Sequence, residues 1–490
     1  MLSGIGIAAA MSGVVMLPAL SPGASPLQAI AGGTRPVALT SAAAPAAPAT
    51  KAAPAPPTEA QCVSYYAKEF PKGTFPRCYT PLQLQRAYGL TSLYACGFNG
   101  KGRTIVIADP FGSPTIRHDL GVFDRAFGLP APPSFRIAAP AGKVPPFNAS
   151  NPAMVAKAGE TTLDVEVAHA MAPGASIVLM ETPGLTQRNA ATGGGYPQLM
   201  KAENYLINHN VGDVISQSFS LPEQNFPRGD IQRLRRTYVN AYAHHVTVLA
   251  ASNDNGATGV TTGGYTLYHH RVVEWPASDP LVTGVGGVKF FLNAAGNSVA
   301  PVAAWNDTYG FASPIAWASN GGVSTLFSRP SYQDPVRGVV GNRRGVPDIS
   351  LSAAISAGVL VYASFPGNDF PFNGWIAGGG TSEATPEFSG IVAVADQYAG
   401  RRLGLINPAL YELYRSHAPG LVDVTRGNNT VSFSASGKLF TVRGYQARPG
   451  YDLVTGLGTV NAARLVPELA WASVVDRLDA PAKDLGSIVG

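Results

Sequence analysis

The sequence has 490 residues but few charged side chains and few cysteines. Charged residues make up 13% of it, about half of the usual share, which argues against a coiled coil or a charge-rich disordered protein. The net charge is only +5, and no run of five or more basic residues forms a phosphate-binding stripe. Nucleic-acid binding is therefore not expected. No apolar run reaches the roughly 20 residues that a membrane span needs.

The three cysteines, Cys62, Cys78 and Cys96, all lie in the first fifth of the chain. None forms a CxxC motif, and no cysteine–histidine set has zinc-finger spacing. We therefore expect one disulfide and one buried thiol rather than a metal site. The spacing does not determine which pair is bridged, although Cys62–Cys78 needs only a short loop. An oxidising compartment would permit the bond.

The N-terminus has an apolar run of signal-peptide length at residues 5–17, followed by small residues and prolines. The signal is atypical because no Lys or Arg precedes the run, and the first basic residue is Arg35. We expect export through this segment. The predicted organisation is a signal-like segment over 1–30, an Ala/Pro-rich linker over 31–60, one large domain over 61–475 and a tail over 476–490.

Short β-branched runs alternate with helical patterns in the body of the chain. The predicted strands are almost continuously hydrophobic, which is typical of parallel strands covered on both faces. They are Thr104–Ala108, Ser176–Met180, Asp213–Ser216, Val246–Ala250 and Val359–Ala363. Predicted helices include Thr161–Met171 and Pro197–Asn208, and the proline that opens the second suits a first helical turn. The pattern predicts a doubly wound α/β domain with active residues at the carboxyl ends of its strands.

A serine follows a glycine-rich turn in GGGTSEATPEFSGIVAVA, residues 378–395. This pattern presents Ser382 at a helix N-terminus, where backbone N–H groups favour developing negative charge. A Gly-Thr-Ser turn by itself is as often only a helix cap. Ser389 falls inside the helix and is expected to pack, and Glu383 and Glu387 are expected on a solvated helix face.

A nucleophilic serine needs a base, and none of the eight histidines stands out as one. Two carboxylates do: Glu160 and Asp164 are four residues apart, so on a helix they share one face. Lys157 is the one cation close enough in sequence to relieve their repulsion, but Gly159 argues against its lying on the same helix. A solvated face is the ordinary interpretation of such charges, yet the segment is too apolar for one. Glu166 points elsewhere and serves as the comparison.

A third carboxylate, Asp254, lies in VTVLAASNDNGATG, just after a predicted buried strand. A strand-end turn would expose its side chain to a cleft. Taken alone, this aspartate is more simply explained as a turn former.

These segments together resemble the sedolisin family, the serine-carboxyl peptidases with a subtilisin-like fold. The resemblance rests on E-x-x-x-D in GETTLD, the Asp turn in ASNDNGA and GTS-x-x-x-P in GTSEATP. It continues through GGVSTLFSRPSYQ, RGVPDIS, LGLINPALY and PGYDLVTGLG, from about Cys78 to about residue 465.

The resemblance implies a role for each of the four residues. Ser382 would be the nucleophile, Glu160 its general base, Asp164 the group that orients Glu160 and shares a proton with it, and Asp254 the oxyanion-hole acid. These roles are chemically consistent with catalysis at acidic pH. A histidine base with a pKa of about 6.5 is protonated there, whereas a glutamate with a pKa of about 4.3 still accepts a proton. Asp254 must stay protonated to donate, so its pKa must be raised.

The resemblance also implies one structural Ca²⁺ near the C-terminus. The matching pieces are VDVT and ARPGYD. Asp423 and Asp452 would supply carboxylate oxygens, and Val424, Arg448 and Gly450 would supply backbone carbonyls. Hard oxygen ligands of this kind suit Ca²⁺.

The sequence departs from the family pattern at two places. The large N-terminal prodomain usual in the family is not expected, since much of what precedes Cys78 is signal-like or linker. Asn253 stands where a glycine is expected, and a register error of one residue would give Asn253 the role of Asp254.

Three functions remain open at this stage. The leading one is a secreted acid endopeptidase acting on protein or peptide substrates. A neutral subtilisin-type protease lacks its histidine motif. A catalytically inactive, secreted binding protein on the same scaffold is the alternative from another class. We expect a monomer with no membrane role beyond export, and neither specificity nor the choice between endopeptidase and tripeptidyl-peptidase can be read from the sequence.

Overall fold

The structure is a computed structural model that describes residues 54–67, 77–184, 195–227, 229–262, 266–308, 316–368 and 373–479. The predicted signal-like segment over 1–30 and most of the predicted linker lie outside these residues, as does the tail after residue 479. The first helix begins at Glu59, inside the predicted linker, and the last one ends at Asp479, inside the predicted tail.

The helices and strands of the described residues alternate along the chain. The helices are α1 Glu59–Tyr66, α2 Pro81–Ala87, α3 Leu90–Ala95, α4 Ile116–Phe127, α5 Pro152–Met171, α6 Tyr196–Asn208, α7 Asp230–Leu234, α8 Arg236–Ala243, α9 Arg337–Val340, α10 Thr381–Ala399, α11 Asn407–Arg415 and α12 Ala462–Asp479. The strands are β1 Arg77–Tyr79, β2 Thr104–Pro110, β3 Phe135–Ala138, β4 Ser176–Thr182, β5 Val214–Gln217, β6 Leu221–Pro222, β7 Thr247–Ala251, β8 Glu274–Trp275, β9 Thr283–Lys289, β10 Ala303–Ala304, β11 Gly322–Ser328, β12 Arg343–Val346, β13 Ile349–Ser352, β14 Ala357–Tyr362, β15 Trp375–Gly378, β16 Leu421–Val422, β17 Val431–Ala435, β18 Lys438–Val442 and β19 Thr459–Val460.

The central sheet has the strand order β10-β9-β7-β5-β2-β4-β3, and β13 pairs with β9 as well. All its pairs are parallel except β10 with β9. The predicted doubly wound, mostly parallel sheet is therefore confirmed. Four of the five predicted strands lie in it. The fifth, predicted over Val359–Ala363, belongs instead to a separate sheet of order β1-β14-β15.

Side chains of the central strands alternate between two apolar cores, one on each face of the sheet. On β2, Ile105 and Ile107 pack with residues of α5 and α10, whereas Val106 and Ala108 pack with residues of α6 and α8. Both faces are covered by helices, so each strand is apolar at nearly every position.

Helices α5 and α10 pack against each other over one face of the sheet, and Gly390 is the residue that permits their close approach. A β-carbon at Gly390 would overlap Met171 on α5. This contact matters because α5 carries Glu160 and Asp164, and α10 begins at Thr381, one residue before Ser382.

Cys62 and Cys78 form the disulfide, with their Cα atoms 6.1 Å apart. The prediction of one disulfide and one free thiol is confirmed, and the free thiol is Cys96. The expectation that it is buried is wrong, because Cys96 is exposed. It lies at the C-terminal end of the short helix α3. Separately, none of the helices that the structure describes is both long and apolar enough to span a bilayer.

Candidate active site

Ser382 is the second residue of α10, directly after the turn that leaves β15. Gly380 has a φ of +91°, a conformation that favours glycine, and a β-carbon there would lie 2.7 Å from Asp254 Oδ2. The turn therefore needs glycine both for its backbone and for the space beside Asp254. Within the described residues the Ser382 N–H donates to no other group, so it is available to a substrate oxygen.

Asp254 lies three residues after β7 and is fixed to the start of α10. The N–H and the hydroxyl of Thr381 both donate to Asp254 Oδ1, each at 2.8 Å. Oδ2 accepts no hydrogen bond from the described residues. Burial raises the pKa of Asp254 to about 6, and the two bonds from Thr381 moderate the rise. In acid this carboxyl is protonated and can donate.

Asn253 does not compete with Asp254 for this place. Its amide nitrogen donates to Glu274, and its side-chain oxygen accepts the Asp254 N–H. Its φ of +87° is a left-handed conformation, which asparagine tolerates better than most residues. Of the two side chains, it is therefore that of Asp254 that bonds to the start of α10.

Glu160 and Asp164 lie on one face of α5 and are fully buried, so the solvated-face interpretation is wrong. The comparison residue Glu166 is also fully buried, and it accepts the Tyr362 N–H at 2.8 Å on another side of the helix. The Ser382 hydroxyl favours the ionised form of Glu160, although within the described residues neither Glu160 oxygen has a hydrogen-bond partner of normal geometry. Burial is the main cause that raises the pKa of both Glu160 and Asp164. Repulsion from Asp109 adds to the rise for both, and Glu160 adds to it for Asp164.

Three residues that sequence reasoning did not assign to the site also belong to it. Ser218 follows β5 and donates to Asp164 Oδ1 at 2.9 Å. Asp109 lies near the end of β2, where its buried charge raises the pKa of Asp164. Lys157 lies on α5 and lowers the pKa of Glu160 and Asp109. Asp109 and Ser218 could have been found from the sequence, because each lies just after the carboxyl end of a predicted strand, where active residues are expected.

Lys157 shares its helix with Glu160, contrary to the expectation based on Gly159. Helix α5 begins at Pro152, well before the predicted start, because the Asn151 side chain caps it by accepting the N–H groups of Ala153 and Met154. The cap and a first-turn proline outweigh the cost of a helical glycine.

Glu383 and Glu387 do not lie on a solvated face, because both are fully buried. They face away from the nucleophile. The Tyr88 hydroxyl donates to Glu387 Oε2 at 2.6 Å, and the Ser352 N–H donates to the same oxygen at 3.1 Å. Burial raises the pKa of both carboxyls well above the usual range, and the neighbouring Glu387 adds to the rise for Glu383.

None of the eight histidines takes the place of a base. His169 is the one that is buried, and it contacts Asp124 and the Pro130 carbonyl. The exposed residues His118 and Ser364 lie together beside the buried Asp119. Ser364 donates directly to the Asp119 carboxylate at 2.6 Å rather than to the imidazole. This geometry does not activate a serine.

The predicted calcium ligands meet around one turn. The Gly450 N–H donates to Asp423 and the Arg448 N–H to Asp452, each at 2.9 Å. Within the described residues the carbonyls of Val424, Arg448 and Gly450 accept no hydrogen bond, and neither carboxylate has an ion-pair partner. No cluster of three His, Cys, Asp or Glu side chains occurs in that part of the chain. Asp452 also accepts the N–H groups of Val454 and Thr455. Two carboxylates without an ion-pair partner, beside carbonyls that accept no hydrogen bond, fit Ca²⁺, which accepts main-chain oxygens.

The chain is similar to two curated peptidases. It is 31% identical to kumamolisin of Bacillus sp. (strain MN-32) over 401 residues, which are 80% of this chain and 64% of that protein. It is 33% identical to sedolisin of Pseudomonas sp. (strain 101) over 273 residues, 55% of this chain and 43% of that protein. The chain thus spans about half to two thirds of the length of these relatives.

A solved structure agrees with the sequence comparison. Pseudomonas sedolisin, described as a serine-carboxyl proteinase complexed with two molecules of pseudo-iodotyrostatin, superposes with a TM-score of 0.65 at 27% identity. The similarity covers 82% of this chain and 99% of the solved one. No protein-family model matches the chain.

Proposed function

Because the chain belongs to the sedolisin family of serine-carboxyl peptidases, we propose that it hydrolyses peptide bonds in acid, with Ser382 as nucleophile. The observation that carries the proposal is the meeting of three elements at one point. The start of α10 brings Ser382, the face of α5 brings Glu160 and Asp164, and the loop after β7 brings Asp254.

The first step is attack of Ser382 Oγ on the substrate carbonyl carbon. Its proton passes to Glu160, which the shared helix face holds beside Asp164. The negative charge that develops on the carbonyl oxygen is stabilised by the Ser382 N–H and by the protonated Asp254 through Oδ2. Glu160 then gives the proton to the leaving amine, and an acyl-enzyme remains for hydrolysis by water. Acid is needed because Asp254 donates only while it is protonated.

The same proposal includes one structural calcium ion, held by Asp423 and Asp452 with the carbonyls of Val424, Arg448 and Gly450. It would clamp the turn that joins these residues and take no part in the chemistry. It also includes export, for which the apolar run at 5–17 and the disulfide between Cys62 and Cys78 are the support. The expected substrates are proteins or peptides.

Cleavage of an acid-denatured protein between pH 2 and 8 tests the proposal. The purified chain should cleave below about pH 6, and Ser382→Ala should abolish cleavage. Ser389→Ala is the matched control, since Ser389 lies on the same helix and bonds only to the Pro386 carbonyl among the described residues. Equal activity in the parent and in Ser382→Ala would refute the assignment. No cleavage by the parent at any pH would favour the inactive, ligand-binding alternative.

A further inference from the structure

Lys157 is a buried cation with an unusual environment. Its side chain is 3% exposed, and within the described residues its Nζ has no hydrogen-bond partner. The other buried cations of that part of the chain, Arg235 and Arg344, pair with Asp279 and Asp348. An ammonium group buried without such a partner is costly unless nearby carboxylates compensate it.

The compensating groups lie along one stripe of α5 and on the strand below it. Lys157, Glu160, Thr161 and Asp164 occupy positions i, i+3, i+4 and i+7, which share one helix face. Asp109 on β2 faces this stripe, and none of its carboxylate oxygens has a hydrogen-bond partner of normal geometry in the described chain. The stripe therefore brings one cation to three carboxyl groups.

The charged groups on the neighbouring elements are all acidic or point elsewhere. Glu181 on β4 lies beside Asp109, and Asp254 lies beyond Glu160. The remaining titratable groups on elements packed against α5 face other partners or solvent. Asp119, Asp124 and Tyr362 face Glu166, and Glu383 and Glu387 face Tyr88 and Ser352. Asp396 accepts the Leu403 N–H, and His118 contacts Asp119. Arg86 and Arg117 donate to the carbonyls of Ala295 and Phe135, and Arg125 is exposed. Lys157 is thus the cation that balances this cluster.

We propose that Lys157 is a positioning residue that favours one net negative charge on the Asp109–Glu160–Asp164 cluster, so that a proton acceptor for Ser382 persists to a lower pH than it would without the lysine. The inference rests on the proposed function. With Lys157 charged, the buried cluster is neutral overall when two of its three carboxyls are protonated and one is ionised. Without Lys157, neutrality requires all three to be protonated, and none could then accept the serine proton.

The consequence is a defined change in the pH profile. Lys157 lowers the pKa of Asp109, Glu160 and Asp164 against the larger effect of burial. Its removal should therefore raise the pH at which the base becomes ionised. An adjacent opposite charge usually shifts a carboxyl by about 1 to 3 pH units. The acid limb of kcat/KM should move upward by at least about one unit, an approximately tenfold loss at a fixed pH on that limb.

The test compares Lys157→Met, Lys157→Arg and the double variant Lys157→Met/Asp109→Asn, by kcat/KM from pH 2 to 7. In Lys157→Met the acid limb of kcat/KM should shift upward in pH, whereas Lys157→Arg should keep the acid limb of the parent. In the double variant the limb should shift less than in Lys157→Met, because one anion is removed together with the cation. Lys201→Met removes an exposed lysine on α6 and should leave the profile unchanged.

A second measurement does not depend on activity. In a Ser382→Ala background, the melting temperature of Lys157→Met should fall further below that of its parent as the pH rises from 3 to 7. The reason is that removal of the lysine raises the pKa of the clustered carboxyls in the folded state. An unchanged acid limb together with a melting difference that does not vary with pH would overturn the inference. If the parent cleaves nothing, the proposed function fails, and the melting series still decides the role of Lys157.

Discussion

The two buried carboxyls behind the nucleophile, Glu383 and Glu387, give a stability prediction that does not depend on catalysis. They lie four residues apart on α10, both fully buried, and no lysine or arginine in the described part of the chain pairs with either of them. The perturbation is Glu383→Gln, since an amide has the shape of a protonated carboxyl but cannot ionise. We expect the variant to be stabilised at neutral pH and nearly unchanged in strong acid.

The sign follows from the direction of the pKa shift. Burial and Glu387 raise the pKa of Glu383 in the folded state, so the unfolded chain releases this proton at a lower pH than the folded protein does. The group contributes its full stability below the unfolded pKa of about 4.3, and this contribution is lost as the pH rises toward the folded value. The loss is about 1.4 kcal/mol for each pH unit and each retained proton. Over the pH range in which the unfolded chain has lost this proton and the folded protein keeps it, the parent should therefore lose on the order of 1 kcal/mol per pH unit that Glu383→Gln keeps.

The assay is urea unfolding at half-unit steps from pH 3 to 7, carried out in the Ser382→Ala background to prevent self-digestion. Glu412→Gln is the control, because the Glu412 side chain is 44% exposed and pairs only with Arg415. The difference in free energy of unfolding between Glu383→Gln and its parent should grow with pH, and that of the control should stay flat. The reasoning would be refuted if the free energies of unfolding of Glu383→Gln and its parent changed in parallel with pH. It would also be refuted if the variant were less stable than its parent at pH 6.5.

Three further outcomes are expected. Peptidase activity should fall as the pH rises through about 6, where Asp254 loses its proton, and Asp254→Ala should lower kcat/KM by about 100- to 1,000-fold at the optimum. This is measured from initial rates, and a basic limb that persists near pH 6 in the alanine variant would contradict it. A calcium chelator should lower the melting temperature of the parent but not that of Asp423→Asn, and equal shifts in the two would argue against the site. Breaking the Cys62–Cys78 bond should cost about 3 kcal/mol of unfolding free energy, as expected for a loop of 16 residues. Cys96→Ser, as the control, should leave that free energy nearly unchanged.

The sequence by itself determined the architecture, and its resemblance to the sedolisin family supplied the four residues of the proposed catalytic set. Strands such as Thr104–Ala108 are apolar at nearly every position because helices cover both faces of the sheet, and this pattern is visible without coordinates. Pro197 marked the start of a helix to within one residue. Ser382 could be found because a glycine turn that leads into a helix is a local feature.

Only the tertiary structure decided which charged residues are buried and what they meet. As charged residues, Glu383, Glu387 and Glu166 would ordinarily be expected on a solvated helix face. In the fold, packing against β13, β14 and α4 buries all three side chains. Asp109 and Ser218 are distant in sequence from Glu160 and come to it because parallel strands end at the same edge. Local propensity fixes helices and strands, whereas the burial of a charge depends on groups from elsewhere in the chain. Lys157 is an example. Helix α5 begins at Pro152 and continues through Gly159, so it carries Lys157 on the same face as Glu160.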